Sequence, residues 1–251
     1  MPKVKSEKRS EVSAAPYESP VKNGNGTANG DNGHAEEEKG AVGTVPTAGF
    51  RDAGRARLTL EQLRERDSAY QYQVVTSLMR RAKTILSHTK DTEKVANLTE
   101  AIKVFDDWVN DYKAHNRSRE NFNYLPLESM EGYEALAERY GIKSDKPSEN
   151  FLQVFRDLKG DSRALRTTKV PGSEEGEDEE TITWDIQRNR HLKDINGRIR
   201  KEYIPLFETD QPLRGLPSKE HTQMIMWGYS PEPTKIKKCI PQIAEKLKAE
   251  N

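Results

Sequence analysis

The sequence predicts an all-α protein, an irregular helical bundle built on an antiparallel helix hairpin and preceded by a disordered N-terminal arm. Three observations lead there. Val95, Leu98, Ile102, Phe105, Val109 and Tyr112 recur at alternating spacings of three and four residues, the period of one helix face. A second run, Val74, Val75, Leu78, Met79, Ala82, Ile85 and Leu86, has the same period and is separated from the first by little more than "HTKD". A link that short folds two helices back on each other. Residues 1 to 56, finally, carry almost no large apolar side chains, and such a segment cannot bury enough surface to offset the entropy lost on ordering.

The elements follow in order. The arm includes "NGNGTANGDNGHAEEEKGAVG" and a basic cluster of Lys3, Lys5, Lys8 and Arg9, read as a solubilising tail that nuclear import machinery could also recognise. A helical domain is expected over 57–170, with the hairpin at 59–115. Order should begin near Thr59, because "TLEQ" has the form of a capping box, and one long helix should then run to His88. Asp91 or Thr92 caps the second helix of the hairpin. Pro126 breaks the chain, "ESMEGYEALAERYG" ends on Gly141, and "SENFLQVFRDLKG" begins with Ser148 as cap and stops at Gly160. Residues 171–181 form an acidic flexible loop. A C-terminal helical region, 182–251, packs on the first domain. In it, the segment 185–207 lays Leu192, Ile195, Ile199 and Tyr203 along one wedge beneath Trp184, and Arg188 falls inside that wedge, where it needs a carboxylate. "SKEHTQMIMWG" starts at Ser218, and Pro241 fits the first turn of a last helix.

Composition narrows the function. Hydrophobic residues are 33% and charged residues 33% of the 251-residue chain, so the core is thin and has reason to complete itself against a partner. Lys plus Arg equals Asp plus Glu at 41 each, which leaves only local patches to attract a polyanion. Cys239 is the single cysteine, which excludes an internal disulfide and a cysteine-based zinc site. No stretch reaches the ~18–20 consecutive apolar residues of a membrane span, and the charged start lacks the apolar core of a secretory signal. A cytoplasmic or nuclear protein is expected.

Candidate chemistry is sparse. Asp106, Asp107 and Asp111 sit in "VFDDWVNDYK". At ~100° per residue, Asp107 and Asp111 lie about 40° apart and Asp106 about 100° from Asp107, all away from the apolar seam. The DDxxxD spacing resembles the metal motif of class I terpene synthases over these six residues. That resemblance implies bound magnesium and a second D-D-x-x-S-x-x-x-E motif. The nearest counterpart, "KDINGRIRKE" at 193–202, has Gly197 in place of the serine and Glu202 one residue late. The aspartates are therefore read as the solvated side of a helix, with no metal and no cofactor expected. His34, His88, His115, His191 and His221 include no pair at three or four residues' spacing, and no nucleophile elbow or phosphate-binding glycine loop occurs. His88 and His115 are read as helix C-terminal residues.

The expected function is a non-catalytic intracellular adaptor or complex subunit. It would bind a protein partner, or a second copy of itself as a homo-oligomer, through an amphipathic helical surface, with no role at a membrane. Phe105, Trp108 and Tyr112 on the hairpin and Trp227 and Tyr229 near the end are its anchors. Two alternatives stand beside it. The basic helix 188–201, with Arg190, Lys193, Arg198, Arg200 and Lys201 opposite the apolar wedge, suits a nucleic-acid-associated protein such as a chromatin subunit or coat protein. A small metal-dependent helical enzyme would use Asp106, Asp107 and Asp111.

Overall fold

The computed structural model describes residues 48–142, 146–173 and 182–249. Most of the expected arm and of the acidic loop thus lies outside the described residues. Among the described residues the chain is helical, with no strand and two isolated β-bridges, Lys169 with Thr183 and Phe207 with Pro217. No helix in them is long and apolar enough to cross a membrane.

The first helix, α1 (Ala53–Leu63), starts earlier than the Thr59 capping box predicts. Asp52 is the cap, its carboxylate accepting from the Arg55 backbone N–H at 2.7 Å. Thr59 is instead buried inside the helix. Its hydroxyl donates to the Gly49 and Arg55 carbonyls and accepts from the Gly49 N–H, tying the entering strand of chain to α1. Nor does one helix run from 59 to 88. The chain breaks after Leu63, and the Gln71 amide donates to the carbonyls of Arg64 and Arg66 at 3.2 and 2.7 Å, giving that turn the partners its helix no longer supplies.

After the break come α2 (Ser68–His88) and α3 (Thr92–Ala114). Asp91 caps α3, accepting from Glu93 N and Lys94 N, as its residue type predicts. The Ser68 hydroxyl donates to Tyr112 Oη at 3.3 Å, and the rings of Tyr72 and Tyr112 lie 4.8 Å apart, so the start of α2 meets the end of α3. This contact is compatible with the antiparallel hairpin. Val74, Val75, Leu78, Ala82, Leu98, Ala101, Phe105 and Val109 fill the first core cluster together with Ala56 and Leu63 from α1.

The second cluster draws on everything from Leu125 to Ile243. Short helices α4 (Leu127–Glu131) and α5 (Glu134–Arg139) replace the single helix expected there, because the backbone turns at Gly132 beneath Ile240. A Cβ on Gly132 would meet Ile240 Cγ2 at 2.9 Å. Gly141 ends α5 at φ 63, with Ile142 N donating to Ala137 O in the wrapped 6→1 bond of a glycine C-cap. For α6 (Phe151–Asp157) the capping side chain is Asn150 rather than Ser148; its Oδ1 accepts from Gln153 N at 3.2 Å.

The longest helix of this half, α7 (Trp184–Glu202), stops five residues short of Phe207. Tyr203 turns out of it into the left-handed region at φ 54 and is 91% exposed, so it leaves the apolar wedge it was assigned to. Ser218 does stand at the start of α8 (Lys219–Met226), but its hydroxyl, buried and without a hydrogen-bond partner, caps nothing. The final helix, α9 (Pro233–Lys248), takes Pro233 in its first turn and runs through Pro241. Ile236, Cys239 and Ile243 keep one buried face on either side of Pro241, and that burial outweighs the missing N–H.

Candidate functional site

The outer face of α2 carries a groove of about 630 Å³ lined by Tyr72, Thr76, Met79, Arg80, Lys83, Thr84 and Ser87. These positions advance by four, three and one residues, so they form one stripe along the helix, distinct from the buried Val74, Val75, Leu78 and Ala82. Thr76, Thr84 and Ser87 return their hydroxyl protons to carbonyls of their own helix, at 2.7, 3.1 and 2.8 Å from Tyr72, Arg80 and Thr84. With those donors satisfied, the groove presents apolar surface from Tyr72 and Met79, followed within about one helical turn by two cations, Arg80 and Lys83. Arg80 and Lys83 have no ion pair among the described residues, and the lining includes no acid.

One end of the groove is closed by aromatics. Tyr72 packs on Tyr112, whose ring lies 5.4 Å from that of Trp108. The Arg117 guanidinium covers both, 5.5 Å from the Trp108 ring and 5.9 Å from that of Tyr112. Of the expected hairpin anchors, then, Trp108 is half-buried at this edge and Tyr112 is buried behind it. Phe105 is wholly inside the first core cluster. Trp227 belongs to the second cluster, stacked at 4.1 Å on His191 and 5.5 Å from Phe151. Tyr229 meets Phe122 edge-on at 4.9 Å. The structure therefore brings Trp108 and Tyr112 together and places Trp227 and Tyr229 in the other cluster. Met79 belongs to the apolar run that the sequence shows on this helix, whereas Tyr72, Arg80 and Lys83 lie outside that run and carry no periodic signal of their own.

Between the two clusters lies a polar junction. Arg188 is fully buried and pairs with Asp67 at 3.5 Å. Its Nε donates to Trp227 O at 2.9 Å, its Nη2 to Phe122 O at 2.9 Å and Gly228 O at 3.2 Å, and its plane lies 3.7 Å from the Tyr124 ring centre. The odd arginine in the apolar wedge thus finds its carboxylate, with three backbone carbonyls besides. Burial pushes the Asp67 carboxyl up, against the pull of Arg188. Alongside, Arg66 reaches Asp185 at 2.8 Å and Asn189 donates to Glu65 O at 3.1 Å. Each bond crosses more than 100 residues of sequence, and no local pattern announces it.

On the outer side of α7, Arg190 is held by both oxygens of Glu65, at 3.0 and 2.5 Å. Lys193, Arg200 and Lys201 are exposed, and Arg198 donates to the neutral Gln223 amide oxygen at 2.8 Å. The three aspartates of α3 do not converge. Asp106 accepts from Asn110, Asp107 is exposed, and Asp111 pairs with His115 at 3.0 Å and Arg117 at 3.7 Å. Among the described residues no three His, Cys, Asp or Glu side chains gather where they could hold a metal ion. His88 Nδ1 lies 2.7 Å from Thr84 O and His115 Nδ1 3.1 Å from Asp111 O, the C-terminal roles their positions suggest.

No protein-family model matches this chain, and no curated protein matches it.

Proposed function

We propose that the chain is a non-catalytic adaptor or complex subunit of the cytoplasm or nucleus that holds a protein partner in the α2 groove. The occupant is an amphipathic helix with an acidic flank. One observation carries this: an apolar stripe on α2 leads into Arg80 and Lys83, two cations without an ion pair among the described residues, with no acid in the lining. An apolar helix face laid along Tyr72, Thr76 and Met79 would bury surface worth about 25 cal/mol per Å². Glutamates on its flank would meet the cations and reject basic competitors. Trp108 and Tyr112 close one end and set the register of the guest.

The test is a titration of the full chain with a designed acidic amphipathic helix by fluorescence anisotropy. A basic helix with the same apolar face serves as control. Binding of the acidic helix only, weakened at least tenfold in a Met79→Asp, Lys83→Glu variant of unchanged thermal stability, is the expected result. Equal binding of both helices, or binding indifferent to those substitutions, overturns the reading.

A further inference from the structure

We propose that the outer face of α7 is a second, independent contact surface, and that it takes single-stranded nucleic acid. Lys193, Arg200 and Lys201 face phosphates, and Tyr203 stacks on a base. Two features of the backbone lead to it, in addition to the charges.

The first is Gly197. It lies in the middle of α7, where glycine costs about 1 kcal/mol against alanine. A Cβ built there meets nothing within 4 Å. Among the described residues no packing asks for a glycine at this exposed position, and its bare backbone leaves room for a ligand backbone to approach the helix closely. On the helix wheel Gly197 sits between Lys193 and Arg200 on one side and Lys201 on the other. Asp194 shares the stripe and Glu202 borders it, so this is a shaped surface rather than a uniform field.

The second is Tyr203. A bulky residue at positive φ is strained, and glycine is the usual choice at such a helix end. Here the strain is held by the bonds from Tyr203 N and Ile204 N to Ile199 O. Its result is a ring 91% exposed at the end of a row of cations. An aromatic platform beside basic side chains is the surface on which an unstacked base and its phosphates lie together. A duplex keeps its bases stacked, and an acidic peptide has no use for the platform. From Lys193 to Tyr203 the helix rises about 15 Å, room for two or three nucleotides.

At the Lys193 end the stripe runs into a cleft of about 60 Å³ lined also by Arg64, Arg66 and Arg117. Arg66 Nε is buried there without a hydrogen-bond partner. Asp67 and Glu120 line it too, but Asp67 is taken by Arg188 and Tyr124, and Glu120 lies 3.8 Å from Arg117. The cleft is a seat for a leading phosphate.

The experiment is fluorescence anisotropy of the full chain with a labelled 12-nucleotide oligo-uridylate between 50 and 300 mM KCl. A duplex of equal length, heparin and poly-glutamate serve as competitors. With three phosphate contacts, log K should fall against log salt with a slope of about −2 for a single strand. Arg200→Ala with Lys201→Ala should reduce that slope. Tyr203→Gly relieves the strained backbone and so keeps the fold. It should nevertheless weaken binding about tenfold at unchanged slope, while Tyr203→Phe restores it. No binding at 50 mM KCl overturns the proposal. So does binding indifferent to Tyr203→Gly, or displacement by duplex, heparin or poly-glutamate as effective as by oligo-uridylate. Loss of the α2 groove through Met79→Asp leaves this binding intact, which separates the two surfaces.

Discussion

The two core clusters are built in different ways. The first, from Phe50 to Val109, is a regular stack in which Val74, Val75, Leu78 and Ala82 on α2 face Leu98, Ala101 and Phe105 on α3, with α1 laid against α3. Small and branched side chains at helical spacing make up most of it, with Phe50, Tyr70 and Phe105 as its buried aromatics. The second, from Leu125 to Ile243, is a pile of aromatics in which Phe151 meets Phe155, Trp184 and Trp227, and Trp184 meets Trp227, drawn from helices of unequal length and the loops between them. Loop carbonyls at Phe122, Trp227 and Gly228 are buried among them, and a single guanidinium serves all three. The contrast teaches that a regular helix stack satisfies its own polar groups, while an irregular core needs a buried donor brought from elsewhere.

That contrast can be broken most severely at Arg188. Arg188→Met leaves Asp67 buried without its cation and strips the Phe122 and Trp227 carbonyls of their donor, while Gly228 O keeps the Leu125 N–H; it should cost about 3–5 kcal/mol in urea unfolding. Trp184 and Trp227 report on the second cluster and Trp108 on the first, so red-shifted emission should appear first from the aromatic half. Simultaneous loss of both halves would show instead that the junction makes them one cooperative unit.

Phe105→Ala tests the other side. Phe105 is fully buried in the regular cluster, and the cavity should cost about 3–4 kcal/mol. Helicity by circular dichroism should fall in step with the stability. An effect below 1 kcal/mol would mean that the stack collapses around the gap and is far more plastic than its spacing implies.

A third handle is His221. It is buried between Leu206 O and the Ser230 hydroxyl, each 2.8 Å away. Burial holds its pKa at about 4. The unfolded chain takes up a proton near pH 6.5 and the folded chain only near 4, so stability is full above pH 6.5. It is lost as pH falls between those values, by on the order of 3 kcal/mol. His191, half-buried and also lowered, acts with the same sign, and Asp67 with the opposite one. The His221 share is the part of the pH profile that disappears in His221→Gln. An unaltered profile in that variant would remove this histidine from the acid sensitivity of the second cluster.

The smallest effect separates core from surface. Gly197→Ala adds a methyl group to open space on α7 and should raise stability by about 0.5–1 kcal/mol in thermal unfolding. A destabilised variant would reveal packing at this position that the second cluster is not known to use.

Much of this architecture was legible in local sequence. The three-four stripe from Val95 to Tyr112, the Asp91 cap, Gly141 as a helix stop and the C-terminal roles of His88 and His115 all depend on partners within about five residues. Such bonds are written into short patterns. The failures share the opposite property. Thr59 caps nothing because Gly49, ten residues back, engages its hydroxyl; α9 runs through Pro241 because the burial of Cys239 and Ile243 overrides one lost bond. Tyr203 leaves the wedge through a backbone reversal that its residue type argues against. Composition and periodicity determined that the chain is helical, and which stripe of α3 is buried. Only the tertiary structure decided that Arg188 meets Asp67 across 121 positions, and that a second stripe on α2 stays open to solvent. Those choices depend on which distant groups share one low-dielectric space, where an unmatched charge or carbonyl costs more than any local preference can return.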